Sequence, residues 1–168
     1  NYLHGIRKVE IEIAFEGFNE KQFNHGLELG AGDGFQSTIL IRYTKHLTST
    51  ELNEPRLNRK NIDGLSYRIC DAELIDSYFD ADSFDLVFSS NMFEHLSHPE
   101  LALYGIKKVI DPNGIVILIM PSVFWAFCHI LLYYPTKILY TIIRRLFRLT
   151  NINTVAKNKK LTNCSGSN

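Results

Sequence analysis

The sequence predicts an α/β fold with a Rossmann-like, doubly wound and mostly parallel sheet. Between residues 25 and 121, apolar strand patterns alternate with helical patterns, which is typical of βαβ units. A glycine-rich turn at residues 30–34 directly follows the first strand, and glycine allows the positive φ angles that such turns require. Polar residues follow the strands, as expected where a parallel sheet binds its ligand.

Strands and helices follow one another along this segment in the order expected of a parallel sheet. The predicted strands are residues 26–29, 47–52, 67–70, 84–90 and 115–120. The predicted helices between them are residues 35–43, 55–62 and 99–110. Residues 111–114, Asp-Pro-Asn-Gly, predict a turn because proline and glycine end regular structure.

The chain divides into four segments around this sheet. Residues 1–24 form a lead-in segment that we expect to include a helix covering the sheet edge, and residues 25–121 form the ligand-binding domain. Residues 122–150 form an apolar and basic helical segment, followed by a polar, basic tail at residues 151–168. A length of 168 residues suits one domain with a sizeable core. Because the chain starts with Asn rather than Met, we expect a fragment or a processed chain.

The cysteines give no sign of a disulfide framework or of a metal site. Cys70, Cys128 and Cys164 are widely spaced and odd in number. Free cysteines favour a reducing, cytoplasmic compartment. The sequence therefore predicts a cytoplasmic protein without a metal.

Charge is divided unevenly along the chain although the total is zero. Residues 1–111 carry 18 acidic and 11 basic side chains, a net charge of −7. Residues 112–168 carry no acidic and 7 basic side chains, a net charge of +7. Such asymmetry indicates an anionic partner, either a membrane surface or a nucleic acid.

The run Glu28-Leu29-Gly30-Ala31-Gly32-Asp33-Gly34 separates two classes of cofactor. A dinucleotide-binding fingerprint requires its third glycine at position 35, where this chain has Phe35. An NAD-dependent reductase is therefore the disfavoured alternative. The E-x-G-x-G-x-G pattern instead resembles the first motif of class I S-adenosylmethionine-dependent methyltransferases.

Three further segments resemble motifs of the same family, in the family's order. Residues 78–89 (YFDADSFDLVFS) are similar to the segment that leads through its fourth strand. Residues 91–96 (NMFEHL) are similar to its Glu-His motif, and residues 111–115 (DPNGI) to the turn before its fifth strand. The resemblance implies a methyltransferase that uses S-adenosylmethionine to methylate a small molecule. The family's sheet normally has two more strands, which we expect residues 122–168 to lack or replace.

The cofactor-binding residues implied by the resemblance follow successive strands: Glu28, Gly30, Ala31, Gly32, Gly34, Glu51, Asp71, Ala72, Ser90 and Asn91. The glycine turn would pass beside the methionine half and the ribose, and Glu28 would face the methionine amino group through water. Glu51 would accept hydrogen bonds from the ribose hydroxyls, with Glu54 as the alternative. Asp71 would bind the adenine amine, although a helix N-cap is its other interpretation.

His95 is the candidate catalytic base. By resemblance it follows the fourth strand near the methyl group, and histidine titrates near neutral pH. Two alternatives stay open at this point. Glu94 and His95 could brace the loop with hydrogen bonds, and an acceptor that is already nucleophilic needs no base.

Residues 123–149 combine an apolar face with a basic one, as interfacial helices do. The apolar face consists of Ile138, Leu139, Ile142, Ile143, Leu146, Phe147 and Leu149, and the basic face includes Lys137, Arg144, Arg145 and Arg148. A lid over the sheet and a helix docked on a membrane surface are both compatible with this pattern. A transmembrane span is disfavoured because Pro121 divides the apolar run. Nucleic acid is also disfavoured, since the basic residues accompany aliphatic side chains rather than a stacking platform.

Together these features predict a methyltransferase that acts on a small-molecule, saccharide or lipid-linked acceptor. We expect it in the cytoplasm, with possible contact between residues 123–149 and the inner face of a membrane. A non-catalytic relative that only binds the cofactor, or a truncated fragment, is the alternative.

Overall fold

The computed structural model describes residues 2–122, 131, 133 and 135–144 of the chain. The chain separates into two compact units, Asn1–Met120 and Pro121–Asn168. The first unit contains the sheet, and each unit is described below by itself.

Five parallel strands form the sheet, in the order β3-β2-β1-β4-β5. Their bounds are β1 Phe23–Leu29, β2 Thr44–Glu51, β3 Leu65–Ile69, β4 Phe84–Ser90 and β5 Ile110–Ile119. The chain reverses its direction of winding between β1 and β4, and open α/β sheets bind ligands beyond the carboxyl ends of the strands at such a point. The predicted Rossmann-like, parallel fold is confirmed.

Three α-helices flank this sheet: α1 Tyr2–Ala14, α2 Ser37–Leu40 and α3 Pro99–Val109. Short 3₁₀ helices follow three of the strands, at Glu54–Arg56, Ala72–Ser77 and Phe93–His95. Proline at the first position starts α3, where its fixed φ angle suits a helix and its missing N–H has no partner to lose. The buried residues of α3 recur at helical spacing, which directs one face of the helix onto the sheet.

The two faces of the sheet carry separate apolar clusters because neighbouring strand residues point to opposite sides. Val87 in β4 belongs to the cluster under α3, whereas Leu86 and Phe88 belong to the cluster under α1. Ile11 and Phe15 are almost completely buried in that second cluster. Helices on both faces make the sheet doubly wound.

The lead-in helix lies on a face of the sheet rather than at its edge. Phe15, just after α1, approaches Phe88 of the central strand β4, with 6.0 Å between the ring centroids. The expectation of an edge position is therefore wrong. The reason is the apolar spacing of residues 11, 14 and 15, which suits a broad surface in the middle of the sheet.

Two predicted helices are much shorter than expected. The helix predicted at residues 35–43 contains only Ser37–Leu40, because the chain enters β2 already at Thr44. The helix predicted at residues 55–62 is reduced to the 3₁₀ helix Glu54–Arg56. That segment has too few apolar side chains to form a buried face, and most helical stability in proteins comes from such packing.

The turn predicted at residues 111–114 is a bulge within β5. The register pairs Phe84 with Ile110 but Leu86 with Ile115, so additional residues are accommodated in β5. The N–H of Asn113 donates to Asp111 Oδ1 at 2.8 Å, which closes the local turn. The turn chemistry was predicted correctly, while its place inside a strand was not.

In the second unit, residues 135–144 are helical and their side chains are exposed. No helix in the described part of the chain is long and apolar enough to cross a membrane. The other residues of the predicted apolar and basic segment, including Arg145 and Arg148, lie outside the described residues, as does the tail at 151–168.

Candidate active site

A cavity of about 440 Å³ lies beyond the carboxyl ends of β1 and β4. Its volume is within the range of about 300–1,000 Å³ that is usual for small-molecule sites. Four parts of the fold contribute to its wall: the first turns of α1, the segment from the glycine turn to the start of α2, the 3₁₀ helix after β2, and the end of β4 with the loop that follows it. The lining residues are Leu3, His4, Arg7, Gly30, Ala31, Gly32, Asp33, Phe35, Gln36, Arg56, Ser90 and Asn91.

The glycine turn leaves its backbone bare on the cavity side. Gly32 has a φ angle of +59°, and a Cβ added to it would find its nearest neighbour, Arg56 Nη2, 3.9 Å away. At Gly30, which has a φ angle of +74°, an added Cβ would lie 2.9 Å from Met92 Cγ. Gly30 therefore serves close packing, whereas Gly32 leaves room for a ligand.

Backbone hydrogen bonds attach this turn to β2. The N–H of Ala31 donates to the carbonyl of Thr50 at 2.8 Å, and the N–H of Gly32 donates to Glu51 Oε2 at 2.9 Å. The other carboxylate oxygen of Glu51 accepts from the N–H of Asn53 at 3.2 Å. Glu51 is thus a buried support of the turn and does not line the cavity.

Glu28 lies beneath the turn in a closed environment. Its Oε2 accepts hydrogen bonds from the hydroxyls of Ser37 at 2.5 Å and Ser49 at 2.7 Å, which join β1 to α2 and β2. Its Oε1 has no hydrogen-bond partner among the described residues. Burial raises the pKa of Glu28 to about 7, against the lowering effect of the two serine hydrogen bonds.

Asp71 and Ala72 follow β3, outside the residues that line the cavity. Asp71 Oδ1 accepts from the N–H of Glu73 at 2.9 Å, so the side chain caps the 3₁₀ helix Ala72–Ser77. Ala72, the first residue of that helix, is buried.

Ser90 and Asn91, at the end of β4, also line the cavity. The hydroxyl oxygen of Ser90 accepts from Asn91 Nδ2 at 2.8 Å and from Arg7 Nη1 at 3.3 Å. Asn91 has a φ angle of +51°, a conformation that asparagine tolerates better than most residues. Its N–H donates to the carbonyl of Ile119 at 2.8 Å, which fixes the start of the loop to β5.

His95 lies away from this cavity. Its side chain is 77% exposed, and its ion-pair partner is Glu94, with 4.0 Å between Nε2 and Oε1. The 3₁₀ helix Phe93–His95 buries Phe93 and leaves the histidine on the surface. His95 is therefore not among the residues that line the cavity with Ser90 and Asn91.

Three cavity residues come from α1, where sequence reasoning placed no functional group. Leu3, His4 and Arg7 have the spacing of one helical face, and Ile11 continues that face into the core. This spacing from residue 3 was the available signal. The signal is weak, because the apolar residues at 9, 11, 13 and 15 are a more conspicuous pattern than the polar ones before them.

The comparison with known proteins identifies the family, since the model of a methyltransferase domain matches residues 27–118. The chain belongs to this methyltransferase family. The matched part extends from β1 to β5 and includes every residue of the glycine turn. Members are class I methyltransferases, whose cofactor is S-adenosylmethionine, so the predicted family and cofactor are confirmed.

One curated relative is the malonyl-[acyl-carrier protein] O-methyltransferase of Paenibacillus sp. (strain JDR-2). It is 27% identical over 97 residues, which cover 52% of this chain and 35% of that enzyme. The chain therefore spans little more than a third of this relative.

Solved methyltransferases share the fold. A putative methyltransferase from Bacillus halodurans superposes with a TM-score of 0.60 at 16% identity, covering 68% of this chain and 52% of that one. Phosphoethanolamine N-methyltransferase 1 of Haemonchus contortus, solved with phosphoethanolamine and S-adenosylhomocysteine, superposes with a TM-score of 0.57 at 23% identity. That match covers 67% of this chain and 25% of the Haemonchus enzyme.

The methyltransferase cofactor fits the residues around the cavity. The bare face of Gly32 provides close access to the backbone, and the carboxylates of Glu51 and Asp71 follow the next two strands. Each carboxylate oxygen can accept two hydrogen bonds, so the observed contacts of Glu51 and Asp71 leave acceptor capacity on both. Neither carboxylate lines the cavity, but both lie at the carboxyl ends of β2 and β3, the edge of the sheet at which the cavity opens.

Proposed function

We propose that this chain binds S-adenosylmethionine in the cavity beside the glycine turn and transfers its methyl group to a small-molecule, saccharide or lipid-linked acceptor. The observation that carries the proposal is the bare cavity face of Gly32, where an added Cβ has 3.9 Å to its nearest neighbour. Membership of the methyltransferase family supports the cofactor. Because the chain spans little more than a third of its curated methyltransferase relative, the activity of the whole protein is part of the proposal.

In this proposal the predicted residues divide into two groups. The first group lines the cavity and contacts the cofactor directly: Gly30, Ala31, Gly32, Ser90 and Asn91. The second group lies outside the lining residues and acts on the cofactor from behind or beside the cavity wall: Glu28, Gly34, Glu51, Asp71 and Ala72. Glu51 and Asp71 offer their remaining lone pairs to the ribose hydroxyls and the adenine amine, and Glu28 holds β1, β2 and α2 together beneath the turn.

The chemistry requires little beyond positioning. When bound, the cofactor supplies a methyl group that is already electrophilic, so holding an acceptor in line with it accounts for much of the rate. A base is needed only for an acceptor that keeps its proton at neutral pH. The cavity wall offers one imidazole for this purpose, that of His4.

Isothermal titration calorimetry with S-adenosylmethionine tests the first half of the proposal. We expect saturable binding by the wild-type chain and its loss when Glu51→Ala and Asp71→Ala are combined. Transfer of labelled methyl to lipid and sugar extracts tests the second half. Unchanged affinity in the double variant would overturn the cofactor site, and binding without transfer would favour a non-catalytic relative.

The helical residues 135–144 support a lipid-linked acceptor, and we propose that they dock on an anionic membrane surface. Ile138, Leu139, Ile142 and Ile143 fall on one side of the helix and are between 43% and 60% exposed. Lys137 and Arg144 fall on the other side. A helix with these two faces lies in the membrane interface, with its cations near lipid phosphates.

A further inference from the structure

His4 occupies a position in the cavity wall that is fixed from two sides. Its Nε2 lies 2.8 Å from Asp33 Oδ2, and its ring stacks on that of Phe35 with 4.0 Å between centroids and 4° between planes. Asp33 and Phe35 both belong to the segment that begins with the glycine turn, and both line the cavity. The helix α1 and the glycine turn are therefore joined at the imidazole.

The contact with Asp33 determines which nitrogen of His4 is basic. Partial burial tends to raise the pKa of Asp33, but hydrogen bonds from the N–H of Phe35 and from His4 outweigh burial and lower it. An ionised carboxylate only accepts hydrogen bonds, so Nε2 carries the proton in this contact. Nδ1 remains as the basic nitrogen of the neutral ring, and it has no hydrogen-bond partner among residues 2–122.

The charged side chains near His4 come from three parts of the fold. Arg7 follows His4 by nearly one turn of α1 and pairs with Glu10 at 2.8 Å, and Arg56 faces the cavity from the 3₁₀ helix after β2. Asp33, in the glycine turn, is the charged group that contacts the imidazole directly. Ser90 and Asn91, which also line the cavity, carry no charge.

We propose that His4, oriented by Asp33 and Phe35, accepts the proton that the acceptor loses during methyl transfer. The proposal rests on the proposed function. As the acceptor's O–H or N–H bond breaks, its proton goes to Nδ1 of His4, and the acceptor's electron pair forms the new bond to the methyl carbon. The carbon–sulfur bonding pair leaves with sulfur, which becomes neutral, and Asp33 remains ionised beside the imidazolium. His95, which the sequence favours for this role, is exposed and outside the cavity wall.

The first test measures the pKa of His4 in the wild-type protein by NMR. Histidine Cε1–H signals are titrated between about pH 5 and pH 8 in the presence of saturating S-adenosylhomocysteine or S-adenosylmethionine. The variants His4→Gln and His98→Gln assign the signals of these two histidines. Only S-adenosylmethionine carries the positive sulfonium, so an imidazole facing it titrates at lower pH with this ligand. We expect a difference of about half a pH unit or more for His4 and none for His98.

The second test measures the rate of labelled methyl transfer into the extract as a function of pH. Loss of a general base costs about 10²–10⁴-fold in rate. We expect His4→Gln to lose such a factor and the limb of the pH profile that rises towards neutrality, with its calorimetric affinity for S-adenosylmethionine retained. His98→Gln, an exposed histidine at the start of α3, is the matched control.

The outcomes separate this inference from the proposed function. Absence of S-adenosylmethionine binding by the wild-type chain would overturn both. If the wild-type chain binds S-adenosylmethionine but His4 gives the same titration curve with S-adenosylmethionine and with S-adenosylhomocysteine, the inference is overturned and the proposed function is not. A rate loss in His95→Gln that His4→Gln does not share would also overturn it, in favour of His95.

Discussion

At the scale of single residues, the glycines of the turn have different tasks although they share a backbone conformation. Gly30 has a positive φ angle and no free space, because Met92 packs against it. Gly32 has a positive φ angle and free space towards the cavity. The family resemblance implied that both bind the cofactor, and both line the cavity. Only the packing shows that a side chain at Gly30 would collide with Met92, whereas Gly32 leaves room for a ligand.

Substituting Gly32 tests the ligand space directly. Gly32→Ala costs about 1–2 kcal/mol of backbone strain at positive φ, and its methyl group would occupy the face that we assign to the cofactor. We therefore expect it to lose most calorimetric affinity for S-adenosylmethionine. Gly17→Ala is the matched control, since Gly17 has a φ angle of +89° and nothing within 4 Å of an added Cβ. Equal affinities in the two variants would contradict the assignment.

Glu28 makes stability depend on pH in an unusual direction. Its pKa rises from 4.5 in the unfolded chain to about 7 in the folded protein, because burial disfavours the charged form. Between these values the folded state binds a proton that the unfolded state has lost. The free energy of unfolding therefore falls as pH increases through this window, by about 3 kcal/mol in total, and levels off above it.

The variant Glu28→Gln removes this titration while retaining the shape of the side chain. We expect the stability difference between wild type and variant, measured by urea unfolding, to change by about 3 kcal/mol in the variant's favour between about pH 4.5 and pH 7. Taking the difference cancels the titration of groups that both proteins share. A difference that is constant over this range would show that Glu28 ionises normally in the folded chain.

At the scale of elements, α1 has two functions that the sequence did not reveal together. Its first turns supply His4 and Arg7 to the cavity, and its later turns bury Ile11 under the central strands. The packing of Ile11 fixes the helix, and the fixed helix presents its polar residues to the cavity. A helix at the edge of the sheet, the position expected from the sequence, could not have combined these two functions.

The buried and exposed isoleucines of α1 provide a matched test of this packing. Ile11 is 0% exposed and Ile13 is 67% exposed, and both gain the same helix propensity on substitution by alanine. We expect Ile11→Ala to lower the free energy of unfolding by about 2–5 kcal/mol and Ile13→Ala to change it by less than about 0.5 kcal/mol. Similar values from urea unfolding would mean that α1 detaches from the sheet in solution.

Strands were predicted better than helices for a physical reason. Each strand has a local apolar pattern, and β4 was predicted with its exact bounds, Phe84–Ser90. Helices of this chain depend more on tertiary contacts, so the polar residues 55–62 could not be assigned from periodicity alone. The cavity likewise needed the fold, because residues 3–7 and 90–91 meet there although they are far apart in the chain.

At the scale of the whole molecule, the described basic helix and the candidate ligand site fall in different units of the chain. The acidic residues and the cavity belong to the unit Asn1–Met120, and the described basic helix at 135–144 belongs to the other. A division of this kind allows one part to bind a cofactor while the other binds a surface.

Co-sedimentation with vesicles tests the proposed docking. We expect binding to an equal mixture of phosphatidylglycerol and phosphatidylcholine that decreases with added salt. Combining Lys137→Glu with Arg144→Glu should weaken binding by about tenfold or more, since each cation near an anionic surface contributes about 1 kcal/mol. Lys8→Glu combined with Lys107→Glu changes the net charge equally in the first unit and should bind as wild type does. Equal losses of vesicle binding in the two double variants, or no sedimentation of the wild type with vesicles, would favour the alternative that this segment is a lid over the sheet.

The attachment of the glycine turn to β2 has a consequence for the thermodynamics of ligand binding. The N–H groups of Ala31 and Gly32 are held by Thr50 and Glu51 before any ligand arrives. Ordering a free loop costs about 1–2 kcal/mol of conformational entropy per residue. Here the turn is ordered during folding, so ligand binding does not have to supply this entropy cost. The turn can bind a ligand without rearranging.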